Sequence, residues 1–76
     1  MRVSPSGITI TPEIERIFRD YAQAFNYYEL TRNTPAGAGE LFKLCEQLNY
    51  PVNYSCDDCK AGCIKFLNDF KKENNL

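Results

Sequence analysis

The amino-acid sequence predicts a mainly α fold, a small three-helix domain that can also carry a short two-stranded ribbon. Apolar residues recur at helical spacing in three segments, and turn-forming residues separate these segments. The expected helices cover residues 12 to 30, 39 to 48 and 56 to 72. A chain of 76 residues is a single domain, here 1–76, with a loose arm at 1–11 and a polar tail at 73–76.

The first helix has both a start signal and a continuous apolar stripe. Thr11 can cap it, and Pro12 is tolerated in its first turn because the missing N–H would have no helical partner there. The stripe recurs over four turns and consists of Ile14, Ile17, Phe18, Tyr21, Phe25 and Tyr28.

The second and third helices are predicted by shorter stripes. Leu41, Leu44, Cys45 and Leu48 share one face of the second helix, and Asn49 and Pro51 end it. Ser55 and Asp58 resemble a capping box, so the third helix should begin near Cys56. Its inward face holds Cys56, Cys59, Cys63, Phe66, Leu67 and Phe70.

A ribbon and a core complete the predicted fold. Ile8-Thr9-Ile10 reads as a strand, and Val52-Asn53-Tyr54 is its expected partner. The expected core is Ile14, Phe18, Tyr21, Phe25, Leu41, Leu44, Leu48, Phe66, Leu67 and Phe70.

Composition narrows the classes of function. Nine basic and ten acidic residues give a net charge of -1, which favours neither nucleic acid nor an anionic membrane. Met1 to Thr11 lacks the apolar run of a signal peptide, and no stretch approaches the ~20 apolar residues of a membrane span. We therefore expect a cytoplasmic protein. Histidine is absent, so neither a Cys-His couple nor a Ser-His-Asp triad can form, and binding is favoured over catalysis.

The four cysteines form the candidate site. Cys56-x-x-Cys59 is followed by Cys63, and Cys45 lies near the end of the preceding helix. Structural zinc takes four thiolates in a tetrahedron, so we predict a zinc site at Cys45, Cys56, Cys59 and Cys63. A rise of about 1.5 Å per residue separates Cys56 from Cys63 too far for one ion in an unbroken helix. This site therefore requires Cys56 to lie before the first turn.

Three other interpretations of the cysteines stay open. They can pack as small apolar side chains, or form disulfides such as Cys45 to Cys63, although a reducing cytosol disfavours permanent ones. Alternatively, Cys56 and Cys59 can act as a thiol–disulfide redox pair at a helix N-terminus. Asp57 and Asp58 weaken that last hypothesis because their charges disfavour a thiolate.

A helix-rich chain with Cys56-x-x-Cys59 opening an apolar helix is similar to small uncharacterised proteins encoded by bacteriophages. The resemblance implies an accessory role, in the host cytoplasm, and assigns no functional residue. The function predicted overall is a zinc-stapled protein-interaction module. Its partner is another protein or a second copy, contacted through Tyr27, Tyr50 and Tyr54, because tyrosine combines rigid apolar area with a polar tip.

Overall fold

Four helices and a short antiparallel sheet form residues 2–76, the part of the chain that the computed structural model describes; Met1 lies outside it. The helices are α1 (Pro12–Asp20), α2 (Ala22–Thr31), α3 (Gly39–Gln47) and α4 (Asp57–Glu73). The strands are β1 (Arg2–Val3) and β2 (Thr9–Ile10). The predicted mainly α fold is confirmed. Within these residues, no helix has the length and apolar character needed to cross a bilayer.

The predicted first helix is two consecutive helices that meet at Tyr21. The Thr11 hydroxyl accepts the Ile14 N–H at 3.2 Å and caps α1, as the sequence indicated. At Tyr21 the backbone leaves helical geometry, with φ -102° and ψ 20°. The Tyr21 N–H still bonds the Ile17 carbonyl, and its own carbonyl accepts the Phe25 N–H, so the break is confined to one residue. No proline or glycine marks this position, which is why periodicity predicted one helix.

The predicted ribbon partner was wrong, because β2 pairs with β1 and not with residues 52–54. Arg2 lies opposite Ile10 and Val3 opposite Thr9. Ser4 closes the intervening turn: its N–H donates to the Ile8 carbonyl at 2.8 Å, and its hydroxyl accepts the Ile8 N–H at 3.0 Å. Gly7 has φ +87°, a conformation that glycine adopts without strain. Residues 2–10 of the predicted arm are therefore a hairpin.

Helix α4 lies at the centre of the domain and packs against both α2 and α3. Most of the predicted core is buried, namely Ile14, Phe18, Phe25, Leu41, Leu44, Leu48, Leu67 and Phe70. Tyr21 and Phe66 are only partly buried and pack at its edge. Phe42 and Ile64 are also buried, although they were not among the residues predicted for the inward faces; each directly follows a residue that was, Leu41 and Cys63 respectively. A helix with neighbours on two sides buries a wider arc than a single stripe, which explains Ile64.

Charged groups connect the helices at the surface. Glu29 on α2 accepts from Asn68 at 2.6 Å and pairs with Lys72, both on α4. The hydrogen bond from Lys72, and then that from Asn68, lowers the pKa of Glu29 below its ordinary value. Arg16 on α1 contacts Asp20 at 2.9 Å and Glu40 at 3.2 Å. These contacts link α2 to α4 and α1 to the first turn of α3 at the surface.

Candidate functional site

The first turn of α4 begins with a cysteine cap. Cys56 lies before the helix in an extended conformation, and its Sγ accepts the Cys59 N–H at 3.3 Å. The predicted capping box was wrong, because the Ser55 N–H instead donates to the Asn53 side chain at 3.0 Å. The sulfur therefore accepts a hydrogen bond from an N–H group that has no carbonyl partner within the helix. The location of Cys56 ahead of the first turn is the one that the four-cysteine hypothesis required.

Cys56 and Cys59 form an accessible pair of thiols. Cys59 is exposed and Cys56 is half-buried. The hydrogen bond with Cys56 raises the pKa of the Cys59 thiol, and burial and the charge of Asp58 raise it further. This shift disfavours the thiolate at Cys59, and the Cys56 sulfur accepts the Cys59 N–H. The two thiols are chemically distinct although only three residues separate them.

Cys45 and Cys63 form the second pair, and it is buried. Their Cα atoms are 6.4 Å apart and the sulfurs are joined as a disulfide, which links α3 to α4. Both side chains have 0% exposure. The sequence had left a Cys45–Cys63 disulfide open as one of the alternatives to a zinc site. The bond closes a loop that contains the whole connection between the two helices, including Cys56 and Cys59.

The four predicted zinc ligands thus lie as an accessible pair and a buried pair. Among residues 2–76, no group of three or more cysteine, aspartate or glutamate side chains is placed to hold one metal ion. The cofactor itself stays a prediction. As arranged here, the accessible pair can offer two thiolates, while the buried sulfurs are bonded to each other.

The three predicted partner-binding tyrosines differ in exposure. Tyr27 is 46% exposed and Tyr54 is 51% exposed. Tyr54 donates to Glu46 at 2.7 Å, a bond that raises the pKa of its hydroxyl, and its ring meets Phe42 edge-on. Tyr50 stacks on Phe66 with ring centroids 4.6 Å apart and is half-buried. Leu30, which sequence reasoning missed, is 86% exposed, one turn from Tyr27 on α2.

A polar cleft lies between the segment that follows α2 and the first turns of α4. Its volume is about 310 Å³. Lys60 lies 3.5 Å from Asp57, and the Arg32 guanidinium lies 5.5 Å from the centre of the Tyr28 ring. The residues that line the cleft are Arg32, Asn33, Thr34, Asp57, Asp58, Lys60 and Ala61. It offers polar contacts to a chain that approaches the first turn of α4.

The fold and the site define a small helical domain with one accessible and one buried cysteine pair. Comparison of the sequence and structure with protein-family models, curated proteins and solved structures finds no match.

Proposed function

We propose that this chain is a thiol–disulfide redox protein in which Cys56 and Cys59 exchange with a disulfide of a protein partner. The observation that supports it best is the accessible pair at the start of a 17-residue helix, with Cys56 outside the helix and Cys59 within its first turn. A cysteine at a helix N-terminus is the usual location of a reactive thiolate. The neighbouring cleft can receive the backbone of the partner.

The two cysteines have different roles in this exchange. The Cys56 thiolate attacks one sulfur of the partner disulfide, so that bond breaks, a mixed disulfide forms, and one partner thiolate leaves and takes a proton. Cys59 then loses its proton and attacks the Cys56 sulfur, releasing the second partner thiol. The Cys56–Cys59 pair is oxidised by two electrons and the partner disulfide is reduced. The raised pKa of Cys59 suits the second step, in which it stays a thiol until the mixed disulfide brings it a target.

Cys56→Ser is expected to slow exchange with oxidised glutathione by at least about tenfold, because serine cannot make the first attack. The measurement is the release of reduced glutathione in a single turnover. Cys59→Ser is the matched control: it keeps the first attack and lacks the second, so it should accumulate a protein–glutathione mixed disulfide visible by mass spectrometry. Equal rates in the wild type and both variants would refute the proposal.

A second candidate function, the zinc-stapled interaction module, is supported by the same helix start. Cys56 and Cys59 can supply two thiolates from one turn, and the N–H contact to the Cys56 sulfur is of the kind that orients a metal-bound thiolate. Cys45 and Cys63 would supply the other two, after their bond is reduced and the first turns of α4 move towards α3. Tyr27 and Tyr54 would contact the partner.

Metal analysis separates the two candidates. On the zinc hypothesis, protein purified under reducing conditions should carry about one equivalent of zinc, and a chelator should unfold it. Cys59→Ala should be as damaging as chelation, since each removes the site. A preparation without zinc, whose melting temperature is unchanged by chelator, would contradict this function and leave the redox proposal standing.

A further inference from the structure

The buried disulfide cannot be reached directly from solvent. Cys45 on α3 and Cys63 on α4 are fully buried where the two helices pack together. Cys59, on the same helix as Cys63, is exposed. Thiol–disulfide exchange requires a thiolate to contact a disulfide sulfur. In the folded protein, an external dithiol therefore needs either an opening of the domain or an internal thiol that reaches the bond.

Cys59 is placed to be that internal thiol. It lies four residues before Cys63 in α4, so the two side chains are neighbours on one helix face, with Cβ atoms about 5–6 Å apart. A disulfide needs Cβ atoms about 3.5–4.5 Å apart, so bonding requires a shift of about 1–2 Å. Cys59 lies in the first turn, and its N–H bonds the Cys56 sulfur and no helix carbonyl. A shift of that turn therefore breaks no helical hydrogen bond donated by the Cys59 N–H, and it lengthens the one that the Cys59 carbonyl accepts from the Cys63 N–H.

We propose that Cys59 transfers the disulfide between the buried and the accessible pair, so that the four cysteines form one exchange path from surface to core. Cys59 loses its proton as it attacks the Cys63 sulfur, which breaks the Cys45–Cys63 bond, forms a Cys59–Cys63 bond and leaves a Cys45 thiolate that takes a proton. Cys56 then gives up its proton and attacks Cys59, which releases Cys63 as a thiol. One disulfide is lost and one is formed, so no external oxidant or reductant is consumed.

The path deepens the proposed redox function, on which it rests, because disulfide exchange is reversible. In the reverse direction, the disulfide that Cys56–Cys59 gains from a partner passes to Cys45–Cys63, which stores it and returns the accessible pair to thiols. In the forward direction, the accessible pair becomes oxidised and the link between α3 and α4 opens. A dithiol that reduces Cys56–Cys59 would thus lead to reduction of the Cys45–Cys63 disulfide without unfolding the domain. Cys59 acts in both exchanges: it attacks Cys56 in the mixed disulfide with a partner, and it attacks Cys63 in the internal transfer.

The test begins with protein oxidised at Cys45–Cys63 and follows loss of that bond in dithiothreitol by alkylation and peptide mapping. Cys59→Ser should slow this reduction at least about tenfold relative to the wild type. Cys56→Ser is the matched variant: it retains the attacking thiol and lacks the resolving one, so a Cys59–Cys63 linkage should be trapped in it and in no Cys59→Ser sample. Melting temperatures of the variants show whether unfolding provides another route.

Equal reduction rates in the wild type and Cys59→Ser, or no Cys59–Cys63 linkage in Cys56→Ser, would overturn the internal path. So would failure of the oxidised wild type to form Cys45–Cys63. A double variant, Cys45→Ser with Cys63→Ser, distinguishes this outcome from failure of the proposed function. If this double variant still exchanges with oxidised glutathione, the accessible pair acts alone. If the wild type fails to exchange with oxidised glutathione while Cys56→Ser still traps the Cys59–Cys63 linkage, the partner reaction is refuted and the path is retained.

Discussion

Phe18→Ala is expected to lower the free energy of unfolding by about 3–5 kcal/mol, which is the range for a fully buried phenylalanine. Phe18 is 1% exposed and its ring stacks between two others, 5.4 Å from Phe25 and 5.8 Å from Phe70. These contacts join α1 to α2 and α4, so truncation leaves a cavity where three helices meet. The measurement is denaturant unfolding followed by circular dichroism. Much of the stability of so small a domain would be lost.

Phe66→Ala is the control for this prediction. Its side chain is partly exposed and stacks on Tyr50 at the edge of the core, so a smaller loss of about 1–2 kcal/mol is expected. The sequence alone placed Phe66 and Phe18 in the core together. Equal losses in the two variants would show that the depth of Phe18 does not determine its contribution.

The helices could be predicted because their signals are local. The stripe that contains Ile14 and Phe18 has helical period, and the Thr11 cap precedes it at the expected position. The hairpin could not be predicted in the same way, since β1 is only Arg2–Val3, an exposed pair, one of them charged, without an apolar pattern. Its pairing with β2 depends on the turn between the two strands. Ser4, with its two hydrogen bonds to Ile8, decides for the nearer partner. Proximity in sequence also lowers the entropy cost of closing that turn.

The cysteines show what periodicity leaves undetermined. Spacing predicted that Cys59 and Cys63 share the inward face of a helix; Cys63 is buried, but the prediction was wrong for Cys59, which is exposed. Spacing does not determine where α3 crosses that face. The crossing covers Cys63 and brings Cys45 against it, while Cys59, one turn earlier, stays exposed. The division into a buried and an accessible pair is thus a property of tertiary packing, and four thiols in one segment were compatible with several sites before the fold was known.

Reduction of Cys45–Cys63 is expected to lower the free energy of unfolding by about 3 kcal/mol. The bond joins positions 18 residues apart, and closing a loop of that length restricts the unfolded chain by about this amount. Denaturant unfolding with and without a phosphine reductant measures the difference. Because the reductant leaves both sulfurs in the protein, the change reports the covalent link and not the loss of packed side chains.

Two variants separate the link from packing and from metal binding. Cys45→Ala with Cys63→Ala should cost more than reduction, because it removes the bond and also empties the space that the two buried sulfurs fill. Cys56→Ser with Cys59→Ser should leave the reductant-dependent loss intact once reduction of Cys45–Cys63 is complete, since the accessible pair contributes no link between α3 and α4. If reduction changes nothing while a chelator destabilises the protein, the sulfurs hold zinc. If neither treatment has an effect, Cys45 and Cys63 are packing residues, and the oxidising equivalents required by the internal path are not stored there.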